Sequence, residues 1–261
     1  VPRSVSHAMT LPVYVINLDR RADRLASIAA NLNCVGLPFE RIPAIDAQSL
    51  PAVGMKPLVS LGARACLLSH AEALRRFLDT SHPAAAIFED DAEVAADLPA
   101  HCVSIDWWPA GTALVKLDTP NNLKNLQGWL CGQTPSGRDL RQIVRWNAGA
   151  AAYLVNRAGG TALLETIEKE ELNIDRTMFD PRFSSLARQL RPVQIVPAAV
   201  RQNPVFGSDI NHWTQPSQRR RKKRRMLIKR SVRWQMRLVW WWMTGKARRM
   251  WVRYSEAPVS D

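Results

Sequence analysis

The run Ala84-Ala-Ala-Ile-Phe88 is apolar throughout and ends in three consecutive carboxylates, Glu89, Asp90 and Asp91. A short apolar run bounded by polar residues reads as a buried strand. Three like charges side by side repel one another, so the triplet needs a reason. In an α/β protein the carboxyl ends of strands are where ligands bind, and a divalent cation with its phosphate ligands would neutralise the cluster. A polar turn with helix-capping acids accounts for it as well.

The flanking chain alternates short strands with helices. Leu11-Pro-Val-Tyr-Val-Ile-Asn-Leu18 is a β-branched and aromatic run, followed by an Ala/Leu-rich helix over 19–32 that Asp19 can cap. Asn17, Asp19, Arg20 and Arg24 surround that strand-to-helix turn, where cationic groups can meet phosphates. Residues 38–45 form a second short strand. A helix reaching about Leu78 carries Ser69 and His70 in its middle and leads into the acidic strand. A third β-branched stretch, Thr112 to Asp118, also ends in a carboxylate. Residues 119–141, rich in Asn, Gly, Gln and Pro, read as a long loop. A small-residue strand over 146–155, an amphipathic helix over 157–170, an irregular stretch holding Asp175 and Asp180, and a short strand over 194–197 follow. The alternation predicts an α/β domain with a mixed central sheet over 11–213, after an unstructured stretch at 1–10.

Charge divides the chain differently. The formal net charge is +13, and all of the excess lies in residues 219–253, which hold 15 basic side chains and no acidic one. The run Arg219, Arg220, Arg221, Lys222, Lys223, Arg224 and Arg225 precedes Ile228, Val232, Met236, Val239, Met243, Ala247, Met250 and Tyr254, spaced by three and four as on one helical face. With Trp240, Trp241 and Trp242, residues 214–261 read as a basic amphipathic helical tail lying in an anionic membrane surface. Nucleic acid is the rival partner for a basic-aromatic segment, and the neutral body disfavours it. No run of eighteen apolar residues and no signal-peptide layout is present, which places the expected location on the cytoplasmic face, peripheral to the inner membrane. Cys34, Cys66, Cys102 and Cys131 lack Cys-x-x-Cys spacing and are expected to be reduced thiols.

Six of these pieces, taken together, resemble glycosyltransferase family 25. They are Val15-Ile-Asn-Leu18 with Arg24, Phe39-Glu-Arg-Ile42 with Ala44 and Asp46, Cys66-Leu-Leu-Ser-His70, Ile87-Phe-Glu-Asp-Asp-Ala92, Ala152-Tyr-Leu-Val155 and Ile174-Asp175. One turn departs from the family's usual Gly-Glu-Ile-Gly-Cys and reads Gly62-Ala-Arg-Ala-Cys66. The resemblance implies a GT-A type, Rossmann-like nucleotide-sugar fold and inverting transfer of a hexose, galactose first, from a UDP-sugar to a lipooligosaccharide or related glycan with Mn²⁺ or Mg²⁺. It implies Asp91 with Glu89 as metal ligands, and Asn17, Asp19, Arg20, Arg24, Ser69, His70, Glu89 and Asp90 around the donor. Asp175 is the candidate general base and Asp118 its reserve; His212 is a candidate ligand from the C-terminal side. The alternative function is a non-catalytic nucleic-acid- or lipid-binding protein on a degenerate transferase scaffold.

Overall fold

The computed structural model describes residues 10–51, 60–119, 124–167, 172–207, 234 and 236–256. His212 and the basic run Arg219 to Arg225 lie outside these described residues.

Alternation along the first strand sets the architecture. In β1 (Val13–Asn17) every residue is buried, because successive side chains point to opposite faces and both faces are covered. Val13 and Val15 pack with Ile28 and Leu32 of helix α1 (Ala22–Cys34). Tyr14 and Ile16 pack on the other side. Strand β2 (Glu40–Pro43) pairs parallel with β1. Helix α2 (Leu61–Leu78) supplies Leu67, Ala71, Leu74 and Phe77 to the second face, and Ser60 Oγ caps it by accepting from Ala63 N at 3.2 Å. Strand β3 (Ala84–Glu89) pairs parallel on the other side of β1. Its Ala85 and Ile87 face α2 while Ala86 and Phe88 face α1. Each large apolar side chain buried this way contributes about 1.5–3 kcal/mol, which fixes the register of β3 and hence where its terminal carboxylates emerge.

The chain then adds β4 (Ala92–Val94), α3 (Leu98–His101), β5 (Leu114–Lys116), β6 (Asp118–Thr119), β7 (Lys124–Gln133), β8 (Asp139–Ile143) and β9 (Ala152–Asn156). Helices α4 (Arg157–Ile167), α5 (Ile174–Phe179) and α6 (Ser185–Leu190), strands β10 (Val193–Val196) and β11 (Val200–Gln202), and the late strand β12 (Arg248–Trp251) complete it. The main sheet has nine strands in the order β12-β7-β8-β10-β5-β9-β3-β1-β2, and β4-β11-β6 form a second, three-stranded sheet. The main sheet is mixed: β1, β2 and β3 run parallel, whereas β9 is antiparallel to both β3 and β5. The expected α/β class with a mixed sheet is what the structure has.

Three local expectations are corrected. Asp19 does not cap α1, whose preceding residue, Arg21, makes no side-chain cap either; Asp19 is drawn off by Arg41, which donates to its carboxylate. The stretch expected as a loop over 119–141 holds the antiparallel pair β7–β8. Its glycines do not prevent a strand and one is needed there, since a Cβ on Gly128 would lie 2.8 Å from Val144 Cγ1 and 2.9 Å from the Gln142 carbonyl. The C-terminal segment is not one continuous helix either. Residues 236–243 are helical, Gly245 turns the chain with φ +71°, and β12 then pairs antiparallel with β7. Pairing there satisfies backbone groups that an edge strand would leave open.

Candidate functional site

The carboxyl ends of β1, β2 and β3 open on a cavity of 310 Å³. Helix α2 forms one wall with Ala65, Cys66, Ser69 and His70, and Gln202, Asn203, Pro204 and Phe206 form another. Arg20, Arg24 and Asp46 stand at the α1 side, and Glu89, Asp90 and Asp91 all line the floor.

Alternation continued through the end of β3 sends the acids apart. Glu89 follows Ile87 to the α2 face, where its Oε1 lies 3.2 Å from His70 Nε2 and 4.0 Å from Cys66 Sγ. Asp90 follows Phe88 to the α1 face. There its Oδ2 accepts from Asn17 Nδ2 at 2.7 Å and its Oδ1 from Arg24 Nη1 at 3.1 Å. Burial pushes the Asp90 carboxyl up, against the pull of those two donors. Arg24 also donates to the Gly207 carbonyl and lies 5.5 Å from the Phe206 ring centroid, tying α1 to the far wall.

Asp91 lies in the turn after β3, not on an extended strand. The Asp91 carbonyl accepts from Asn203 N at 2.7 Å. Its carboxyl is pushed up to about 8 by burial first, then by Glu89, with Asp90 and Asp118 adding repulsion. Its Oδ1 is buried without a hydrogen-bond partner among the described residues. A buried, unpartnered carboxylate oxygen amid acids fits a hard divalent cation, whose preferred ligands are oxygens. Asp91, with Glu89 two residues before it, would hold one.

The remaining expected site residues divide clearly. Arg20 is at the rim in an ion pair with Asp46. Asn17 is buried and structural in its bonds, donating to Asp90 and to the Arg21 carbonyl and accepting from Arg41 Nε at 2.9 Å. Ser69 Oγ accepts from Ile45 N and donates to the Ala65 carbonyl, both at 2.8 Å, so it joins β2's exit to α2. His70 is fully buried, with Nδ1 3.0 Å from the Tyr153 hydroxyl. Asp19 does not line the cavity. Asp118 lies outside the cavity lining: it is 0 % exposed, burial raises its carboxyl, and Lys116 Nζ donates to it at 2.6 Å. Asp175 begins α5, where its carboxylate accepts from Trp146 Nε1 at 2.9 Å and Arg176 N at 2.8 Å. It is not a cavity-lining residue, although its charge helps raise the Cys66 thiol, after burial and Glu89.

The family model for glycosyltransferase family 25, described as an LPS biosynthesis protein, matches residues 10–178. The chain belongs to that family. The match takes in the strands and helices that carry Asn17, Arg24, Cys66, His70 and the acidic triplet. Among similar curated proteins, the lacto-N-neotetraose biosynthesis glycosyltransferase LgtE of Neisseria meningitidis serogroup B is 25% identical, covering 82% of this chain and 86% of that one. LgtB of Neisseria gonorrhoeae, of the same description, is 26% identical over 69% of this chain and 71% of its own length. A solved glycosyltransferase involved in the glycosylation of the major capsid of PBCV-1 aligns with a TM-score of 0.43 at 9% identity, over 78% of this chain and 96% of that chain.

In this family 25 chain the wall from Gln202 to Phe206 is the part that motif reading missed. It reaches the cavity because β11 pairs with β4, directly after the acidic turn, a long-range contact with no local signal. Cys66 and Asp46 were visible as motif members, but nothing in their spacing said that they face a cavity.

Proposed function

We propose that the chain is an inverting, metal-dependent hexosyltransferase, with UDP-galactose as first-choice donor and a lipooligosaccharide or related glycan as acceptor. The observation that carries this reading is the convergence of the three consecutive carboxylates with Arg20 and Arg24 on one cavity at the carboxyl ends of parallel strands. A divalent ion of the Mn²⁺ or Mg²⁺ class supplies, when bound, Lewis-acid neutralisation of the charge that grows on a departing diphosphate. The chain's own part is positioning. Asn17 and Arg24 fix Asp90, which pins the turn that carries Asp91. Arg20 presents a guanidinium at the rim, the fork geometry suited to phosphate oxygens. Phe206 and Pro204 add apolar lining to the same cavity. Asp175, outside the cavity lining and oriented by Trp146, is the general-base candidate on its match to the family motif alone.

The names of the relatives, which concern lacto-N-neotetraose biosynthesis, support a glycan acceptor. Turnover of UDP-sugars with and without Mn²⁺ tests the reading. Metal-dependent transfer or hydrolysis that disappears in Asp91→Ala is expected, and absence of metal-dependent turnover with every UDP-sugar would overturn it.

The same reading sets the enzyme against the cytoplasmic face of an anionic membrane. Met236, Val239, Trp240, Trp242 and Met243 are exposed, an apolar surface beside exposed Arg237 and Lys246. The basic run from Arg219 precedes them in the chain, and each such charge near anionic lipid is worth about 1 kcal/mol. Among the described residues no helix is long and apolar enough to cross a membrane, so the attachment proposed is interfacial.

A further inference from the structure

We propose that Cys66, His70 and Glu89 form a site for a borderline transition-metal ion of the Zn²⁺ class, which shares Glu89 with the hard-cation position at Asp91 and competes with it. Four residues apart on α2, Cys66 and His70 share a helical face, and β3 delivers Glu89 against that face. One ligand atom from each of the three lies within 4.8 Å of the others. His70 Nε2 and Glu89 Oε1 are 3.2 Å apart and Cys66 Sγ is 4.0 Å from the same oxygen. Tetrahedral zinc with nitrogen and oxygen at about 2.0–2.1 Å and sulfur at about 2.3 Å sets ligand-to-ligand separations of roughly 3.3–3.7 Å. The nitrogen and oxygen are already there, and the sulfur, 4.0 Å from the oxygen and within 4.8 Å of the nitrogen, closes by about an ångström on binding.

The surroundings of His70 complete the case. Its Nδ1 meets the Tyr153 hydroxyl at 3.0 Å, and the two rings stack with centroids 5.7 Å apart. Metal-bound histidines characteristically donate their second ring N–H to such a partner, which fixes the ring and the tautomer. If Nδ1–H donates to Tyr153, the Nε2 lone pair points at the carboxylate oxygen of Glu89, and a cation between them removes the repulsion. In the metal-free rival, Tyr153 donates to Nδ1 and Nε2–H donates to Glu89. All three side chains line the cavity, so a fourth coordination position opens onto it, as in three-ligand zinc sites.

The donor set decides the class of ion. One sulfur, one nitrogen and one oxygen suit zinc, whereas magnesium and manganese favour oxygen-only sites such as Asp91 provides. Binding displaces the thiol proton to solvent and leaves a thiolate on the metal. On the transferase reading, an ion held here withdraws Glu89 from the donor site, so zinc antagonises the reaction that Mn²⁺ or Mg²⁺ supports.

Co²⁺ is the probe, added to the full chain and followed by absorbance. One equivalent is expected to give an intense near-ultraviolet sulfur-to-cobalt charge-transfer band and the visible bands of four-coordinate cobalt, with Zn²⁺ bleaching both. Cys66→Ser loses the charge-transfer band and Cys34→Ser, an exposed thiol elsewhere, retains it. Tyr153→Phe weakens binding by about tenfold or more. No charge-transfer band in the unaltered chain, or a band that survives Cys66→Ser, overturns the site. Because the readout is the metal's own spectrum, a chain that binds cobalt this way and transfers no sugar contradicts the transferase reading alone.

Discussion

Asp91 and His101 pull the stability of the folded chain in opposite directions, and their pH windows separate the two effects. The Asp91 carboxyl titrates at about 8 in the folded chain against 3.8 as the ordinary value. The folded state therefore keeps a proton that the unfolded state has lost, and stability of the metal-free protein falls as pH rises from about 4 through about 8. His101 is buried against Trp107, and burial lowers its pKa from 6.5 to about 4. Its contribution is lost as pH falls from 6.5 through 4, so the two oppose each other in that range. From pH 6.5 to 8 Asp91 acts without this opposition, and stability declines across that window. Asp91→Asn is expected to flatten this decline in urea unfolding at pH 6.5, 7.25 and 8. An unchanged slope would mean that the carboxylate is not under the strain described.

At the scale of elements, the strands that position the acids were legible and those at the far edge were not. Residues 13–16 and 84–88 are unbroken apolar runs, buried on both faces, and such runs announce themselves. Residues 124–133 contain Asn125, Gln127, Gly128 and Gly132, weak strand formers whose pairing depends on β8 and β12, and tertiary partners of that kind override propensity. The C-terminal apolar spacing of three and four persists past Gly245, where the helix has already ended, so periodicity alone misreads β12. Arg138 holds this edge together. Its guanidinium, buried and almost unexposed, donates to Asp97 at 2.7 and 2.6 Å and to the carbonyls of Pro197, Ala198 and Ser255. Breaking a buried pair by removing one partner costs about 3–5 kcal/mol. Arg138→Ala is expected to destabilise by that amount and to raise amide exchange most at 248–255 and 193–200. Destabilisation with protection at 248–255 intact would show that β12 is held by the sheet alone.

The whole molecule joins a charge-neutral body to a C-terminal segment that carries the entire basic excess. That division was readable from composition, but the way the segment returns to the body was not. Trp234 Nε1 donates to the Val144 carbonyl at 2.8 Å, Thr119 Oγ1 to the Val252 carbonyl at 3.1 Å, and Trp241 packs edge-to-face with Trp129, ring centroids 5.4 Å apart. Leu238 and Ala247 are buried with them. The apolar face expected to sit in lipid is therefore split. Ala247 packs inward, while Met236, Val239 and Met243 remain outside with Trp240 and Trp242. For the proposed membrane contact, vesicles containing phosphatidylglycerol are expected to bind the full chain and blue-shift its Trp emission, with binding reduced in Trp240→Ala/Trp242→Ala. Equal binding to purely zwitterionic vesicles would remove the electrostatic part of that proposal.

On the proposed function, one cavity is a joint site for a divalent ion and a nucleotide diphosphate. Calorimetric titration of UDP into the full chain, with and without Mn²⁺, tests it most directly. Binding that requires Mn²⁺ and disappears in Asp91→Ala is the predicted result. UDP affinity that is indifferent both to Mn²⁺ and to loss of the Asp91 carboxylate would contradict the account.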